Sequence, residues 1–184
     1  MADRLEFDLT FYPDPLLRRT AAPVERFDAE LEAIAEAMLR RMAASQGVGL
    51  AAPQVGLARR ILVLNPTGNP ADELVLVNPR ILSRGGPPTV LDEGCLSFPG
   101  IYAEIERPDE CTVEASSPRG ERIAATFAGF TSRVIQHEYD HLEGVLLVDR
   151  MSPADKLRHK AALEELVASY RRRRAAAAGS RVEG

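Results

Sequence analysis

Phe130-Thr131-Ser132-Arg133-Val134-Ile135-Gln136-His137-Glu138-Tyr139-Asp140-His141-Leu142 is the stretch around which the rest of the chain has to be built. Val134, Ile135, His141 and Leu142 are its less exposed members, and Gly144 suits the exit from a helix, where left-handed backbone is common. This predicts a helix over about 130–142. Within it, His137-Glu138-Tyr139-Asp140-His141 is an HExxH pattern that takes two of the chain's three histidines. Residues four apart share a helix face, so both imidazoles can converge on one metal ion at about 2.0 to 2.1 Å while Glu138 reaches a water activated by that ion. The bland alternative, two unrelated histidines around an ordinary helical glutamate, does not account for the glutamate or the spacing.

A catalytic metal commonly has three protein ligands and one open position. Beyond His141 the one remaining histidine is His159, whose neighbours Lys156, Arg158 and Lys160 mark it as a solvated residue on a surface helix. Cys95, within Glu93-Gly94-Cys95-Leu96-Ser97, is the better third ligand, because a thiolate binds strongly and Gly94 permits tight backbone geometry beside it. Cys111 reads as a buried structural cysteine. Two cysteines are too few for a disulfide framework and suit a reducing compartment.

Working outward, Tyr12-Pro13-Asp14-Pro15 predicts an extended arm across the surface. Asp28 can cap a helix in which Leu31, Ile34, Ala35, Met38, Leu39 and Met42 repeat at helical spacing. The Gly- and Ala-rich run from Gly47 to Gly56 predicts a loop that lets backbone approach something closely. Arg60–Leu64 and Leu74–Val77 read as a hairpin, and further strands are expected at 102–106, 111–115 and 122–127, the last two joined by a turn at Ser117-Pro118-Arg119-Gly120. The middle of the chain is therefore antiparallel β. Ser152-Pro153 opens another helix, running through Leu157, Leu163, Leu166 and Val167 to Tyr170. A single domain over 1–170 and a frayed, mobile Arg/Ala-rich tail over 171–184 are expected.

At 184 residues, with 45% hydrophobic and 27% charged, the chain suffices for one compact core. A net charge of -4 and a pI near 5.5 argue against general nucleic-acid binding, which needs an excess of Lys and Arg. The start of the chain is short and charged, unlike a signal peptide, and apolar runs such as Ile61–Leu64 are too short for a bilayer. A cytoplasmic protein, by default a monomer, is expected.

Three segments resemble, in order, the motifs of the peptide deformylase family: Gly47-Val48-Gly49-Leu50-Ala51-Ala52-Pro53-Gln54, then Glu93 to Ser97, then Gln136 to His141. No other family known to us combines them, and the resemblance extends from about Leu5 to Pro153. It implies an α+β fold, antiparallel β-sheets around a central helix carrying the HEYDH motif, with N- and C-terminal helices. It implies Cys95, His137 and His141 as metal ligands, Glu138 as general acid/base, and Gln54 and Leu96 as supports for the transition state. The substrate it implies is the N-formyl group on the methionine of nascent polypeptides. An apolar pocket for that methionine would be walled by Val48, Leu91, Phe130, Val134 and one face of His137, with the peptide backbone along Gly47–Gly49 or Phe98–Gly100. Glu93 reads as a supporting partner that receives a hydrogen bond or ion pair, not as a second base.

The chemistry fits these residues independently. A divalent ion acidifies water toward neutrality, Glu138 shuttles the proton to the departing amine, and the Gln54 amide and Leu96 N–H can stabilise the oxyanion. One thiolate and two imidazoles suit Fe(II), Ni(II), Co(II) or Zn(II); the resemblance implies Fe(II) as the physiological metal. Two features depart from the family. Tyr102 stands where an arginine is frequent, with Arg107 later, and Arg133 either lies beside the pocket wall or points outward from the helix. Arg171–Arg174 either contact ribosomal RNA or form a solvated helix end. Competing readings are a cysteine hydrolase with Cys95 as nucleophile, a peptide-binding module with a structural metal, and a general HExxH endopeptidase.

Overall fold

The computed structural model describes residues 5–179. Helix α1 spans Ala29–Ala44 and starts as expected, with the Asp28 carboxylate accepting from the Leu31 N–H and Glu30 and Glu32 in the first turn. Five strands follow, Gly49–Ala51 (β1), Ile61–Leu64 (β2), Leu74–Cys95 (β3), Phe98–Ser116 (β4) and Arg122–Ala128 (β5). They form one antiparallel sheet in chain order. Helix α2, Gly129–Leu142, then returns across the sheet, followed by α3 (Leu147–Arg150), α4 (Pro153–Arg158) and α5 (Lys160–Gly179).

All four residues of β2 are buried because both faces of the sheet are covered there. Side chains alternate along a strand. Leu62 and Leu64 meet Val134, Ile135 and Leu142 of α2, while Ile61 and Val63 meet Leu31, Ile34 and Met38 of α1. Each such side chain contributes roughly 1.5–3 kcal/mol relative to an exposed one, so α2 is fixed by its apolar positions before its polar ones are considered. A third apolar cluster, around Leu17, Phe98, Ile101 and Ile105, packs the far end of the β3–β4 arm against Leu147 and Met151.

The expected hairpin is present, with Ile61 opposite Val77 and Leu64 opposite Leu74. Three expectations need correction. The strands foreseen at 102–106 and 111–115 are parts of one continuous β4, and β3 runs on to residue 95. The register shift between Gly85 and Pro88 lets β3 continue through Gly85-Gly86-Pro87-Pro88. β3 also pairs with β2 only up to Val77, so these residues lie on an open edge where proline leaves no partner unsatisfied. The Gly47–Gly56 stretch is not all loop, because Gly49–Ala51 joins the sheet and Ala52–Val55 forms a buried 3-10 turn.

The amino-terminal arm does more than cross the surface. Its Thr10 and Tyr12 N–H groups donate to the carbonyls of Gln54 and Ser97 at 2.7 and 3.0 Å, and Leu17 is fully buried. The arm thereby ties together two of the three motif segments. At the other end, the helix breaks once at His159 and then continues to Gly179, so residues 171–179 are helical and not frayed. Arginine and alanine are strong helix formers, and the tail's remainder, 180–184, lies outside the described residues. His159 is half-buried, with Nε2 shut from solvent and unpartnered among the described residues, in contrast to the solvated side chain expected.

Candidate active site

The β3–β4 arm doubles back at its tip, where Cys95 pairs with Phe98 and a register shift separates it from the Gly94–Tyr102 pair. This turn delivers Cys95 to the face of α2 that bears His137 and His141. One donor atom from each of the three residues lies within 4.8 Å of the others, and all three residues are buried. Cys95 Sγ is 3.3 Å from His141 Nε2, and the two imidazole rings are 5.3 Å apart at their centroids. His137 Nδ1 is engaged by Glu93 Oε2 at 2.9 Å, which leaves Nε2 to face the cluster. A thiolate with two imidazoles, closely grouped and shielded, fits a borderline divalent ion. His141 Nδ1 and Glu138 Oε2 are buried without a partner among the described residues, which is the mark of a site whose polar groups answer to a ligand.

Glu138 lies against β1 in a slot that only glycine permits. A Cβ on Gly49 would sit 2.5 Å from Glu138 Oε1 and 2.7 Å from Val134 Cγ1. Burial pushes the Glu138 carboxyl up to about 7, with His137 and Arg107 pulling it down and Glu93 adding to the rise. A carboxyl near neutrality can both accept and return a proton. Gln54 is held by its own Oε1, which accepts the Ala51 N–H at 2.7 Å. Its Nε2 is thereby aimed at Cys95 Sγ, 3.5 Å away, and Ser97 Oγ, 3.4 Å away. Leu96 follows Cys95 in the turn between β3 and β4 and lines the cavity beside it.

Behind Cys95, His137 and His141 stands a buried ionic network. Glu93 accepts from Arg107 Nε at 2.6 Å, Arg107 Nη2 at 2.9 Å, Arg133 Nη1 at 2.7 Å and His137 Nδ1. Burial alone would raise the Glu93 carboxyl, but these hydrogen bonds and the positive charge of Arg107 win and hold it at about 2. Asp140 in turn accepts from Arg107 Nη1 at 2.9 Å and from Arg150 Nη2 at 2.6 Å. Of the two placements open to Arg133 the inward one holds, since Arg133 is 5% exposed and donates to Glu93, Ile105 O, Thr89 O and Thr89 Oγ1. Arg107 likewise serves this network. Cys111 is buried as expected.

A cavity of about 520 Å³ opens beside Glu138, and Val48, Gly49, Leu91, Phe130, Val134 and His137 all line it. Tyr102 stands at its rim, its ring lying across Gly94.

Residues 7–157 match the family model for polypeptide deformylase. The chain belongs to the peptide deformylase family. It is 43% identical over 176 residues to the chloroplastic/mitochondrial peptide deformylase 1B of Arabidopsis thaliana, covering 94% of this chain and 64% of the relative. It is 40% identical over 166 residues to a peptide deformylase of Thermotoga petrophila, covering 90% and 99% respectively. Among solved structures, a plant peptide deformylase superposes with a TM-score of 0.89 at 40% identity, covering 94% of this chain and 95% of that one. A peptide deformylase from Legionella pneumophila gives 0.82 at 36%, covering 93% and 98%.

Against that family background, the members of the site that sequence reasoning missed are the polar supports. Arg133, Arg107, Asp140 and Arg150 carried no motif of their own. The one available signal was a charged residue, Arg133, interrupting the less exposed run that leads into the deformylase helix motif.

Proposed function

We propose that this chain is a metal-dependent hydrolase that removes the N-formyl group from the N-terminal formylmethionine of newly synthesised polypeptides. The observation that carries the reading is the convergence of Cys95, His137 and His141 beside Glu138, whose buried Oε2 has no hydrogen-bond partner among the described residues, at the edge of an apolar cavity. A divalent ion held by those three ligands would supply Lewis acidity, drawing the pKa of water from about 15.7 toward about 7. Glu138 accepts the proton of the attacking water and returns it to the departing amine nitrogen, without which an amide expels a poor leaving group. Gln54 Nε2 and the Leu96 N–H donate to the developing oxyanion, and Gln54 is ready to do so because its other end is already anchored. Glu93 fixes the ring of His137 and the proton on its Nδ1.

Val48, Leu91, Phe130 and Val134 wall the space for the methionine side chain. β1 has a neighbour on one side only, so a peptide backbone can align along Gly47–Gly49 as an added strand, opposite Phe98–Gly100. Recognition through backbone hydrogen bonds favours many sequences after methionine. Residues 1–170 form the catalytic domain of this reading.

Fe(II) is the physiological metal of this proposal, with Zn(II), Ni(II) or Co(II) as substitutes. Activity of the iron form then decays in air as iron or Cys95 oxidises, and decays more slowly after nickel replacement; equal air stability of the two forms would defeat it. The protein acts as a cytoplasmic monomer in this reading, and no described helix is long and apolar enough to cross a membrane. Arg171–Arg174, all exposed, are proposed to contact ribosomal RNA. Deleting residues 169–184 and measuring co-sedimentation with ribosomes tests this, and unchanged binding would remove it.

Formate release from formyl-Met-Ala-Ser by anaerobically purified protein tests the main reading. Activity is expected to vanish on chelation and to return with Fe(II) or Ni(II). Metal bound without formate release would leave the fold standing and sink the substrate assignment. Activity that survives chelation would favour the Cys95 nucleophile instead.

A further inference from the structure

We propose that Arg133 is a positioning residue that sets the width of the apolar cavity and so decides which amino-terminal side chain it accepts; the inference rests on the deformylase reading. The cavity has two principal walls, Phe130 and Val134 on α2 and Leu91 on β3. Phe130 and Leu91 are 50% and 49% exposed, so packing between them does not fix their separation. The outer edge of β3 is unpaired beyond Val77, which removes the sheet as a restraint on that side. What holds the walls at a set distance has to come from polar ties.

Among the described side-chain hydrogen bonds, α2 reaches β3 at two places. At the metal end, His141 meets Cys95, and His137 and Arg133 both meet Glu93. At the far end, Arg133 Nη2 donates to Thr89 O at 2.7 Å and Thr89 Oγ1 at 2.8 Å, while Nη1 donates to Ile105 O at 2.9 Å. Thr89 is two residues from Leu91, and Ile105 pairs with Leu91 across the sheet. Arg133 itself lies between Phe130 and Val134 in sequence, so one guanidinium ties the two walls together. Its planar fork reaches acceptors on both strands at once, a geometry that a lysine ammonium on a flexible stem does not reproduce. With four acceptors engaged, the guanidinium is spent on the scaffold, and Arg133 acts through Leu91 and Phe130 without forming a bond to the substrate.

The test compares wild type, Arg133→Lys and Thr89→Val on formyl-Met-Ala-Ser, formyl-Ala-Ala-Ser and formyl-Phe-Ala-Ser. Thr89→Val removes a single acceptor from a half-exposed strand position and so threatens folding far less than loss of the arginine. For Arg133→Lys the expected result is a rise of about tenfold in KM for formyl-Met with kcat within about threefold, and a fall of about tenfold in the preference for Met over Phe. Thr89→Val should move both quantities the same way by about threefold, with an unchanged visible spectrum in the Co(II)-loaded protein. Equal fractional losses on all three substrates, or a lower kcat at constant KM, would overturn the proposal in favour of a merely structural arginine. A changed Co(II) spectrum in Thr89→Val would overturn it by placing the effect on the metal ligands. If wild type releases no formate from any of the three, the deformylase reading falls and this inference falls with it.

Discussion

Helices α2 and α5 are both rich in polar residues, and they use them in opposite ways. α2 buries ten of its fourteen residues, among them Arg133, Gln136, Glu138 and Asp140. α5 buries none of its described side chains, and Arg171 to Arg174 are exposed. An arginine on α5 meets what lies nearby, such as Glu165 for Arg172 or the ring of Phe11 for Arg173. Arg133 on α2 has four acceptors on the opposite strands. Polar groups that leave water must find partners of defined geometry, and this constraint turns a helix into a template for a site. Charge content alone does not distinguish the two helices; what covers each of them does.

The strongest way to break this contrast is at Glu138. Glu138→Ala is expected to lower kcat by about 100- to 10,000-fold while the bound metal content stays unchanged, because the three ligands are other residues. Metal analysis beside formate release checks both halves, and a variant retaining more than a tenth of wild-type kcat would remove Glu138 from the proton transfers. Next in size is Glu93→Gln, which keeps the shape and deletes the charge that Arg107 and Arg133 share. Removing one partner from a buried pair costs about 3–5 kcal/mol, so the melting temperature should drop by roughly 6–20 °C. A drop below about 2 °C would mean that the network is no more than a collection of surface-like contacts.

The same contrast explains what was legible in the sequence. His137, Glu138 and His141 are fixed by a spacing rule, and Ile61 to Leu64 stand out as a short apolar β-type run, so the HExxH helix and its supporting strand could be read directly. Arg133 could not, because helical spacing gives a face but not the identity of the strand that will lie across it. Its acceptors, Thr89 O and Ile105 O, belong to a β3–β4 arm that Gly85-Gly86-Pro87-Pro88 interrupts in the sequence. Local signals at those four residues favour a turn, and the long-range pairing with β4 overrides them. α5 errs in the other direction, since Arg and Ala favour helix wherever nothing opposes it, while a tail composition suggested fraying.

Gly49→Ala sharpens the contrast from the sheet side. A methyl group there meets Glu138 and Val134, and the fit between β1 and α2 has no spare volume. Overpacking of this kind costs about 1–3 kcal/mol, a melting shift of a few degrees, and displacement of the Glu138 carboxyl should lower kcat more than it raises KM. A normal kcat in a protein that melts a few degrees early would show that Glu138 relaxes around the methyl, and that the slot is less rigid than drawn.

The smallest effect belongs to Glu165→Gln on α5, and it is the control that gives Glu93→Gln its meaning. Both substitutions take one carboxylate oxygen's charge away from an arginine at hydrogen-bonding distance. Glu93 and Arg107 are about 5% exposed at the side chain, whereas Glu165 and Arg172 are about 65% exposed. Water and salt already solvate the exposed pair, and holding two long side chains together costs entropy, so its net contribution is near zero. The melting temperature should move by less than about 2 °C, and raising the salt concentration should erase even that. A shift as large as that of Glu93→Gln would show that an exposed ion pair within α5 stabilises the fold as strongly as the buried network does, and the contrast between a templating helix and a peripheral one would collapse.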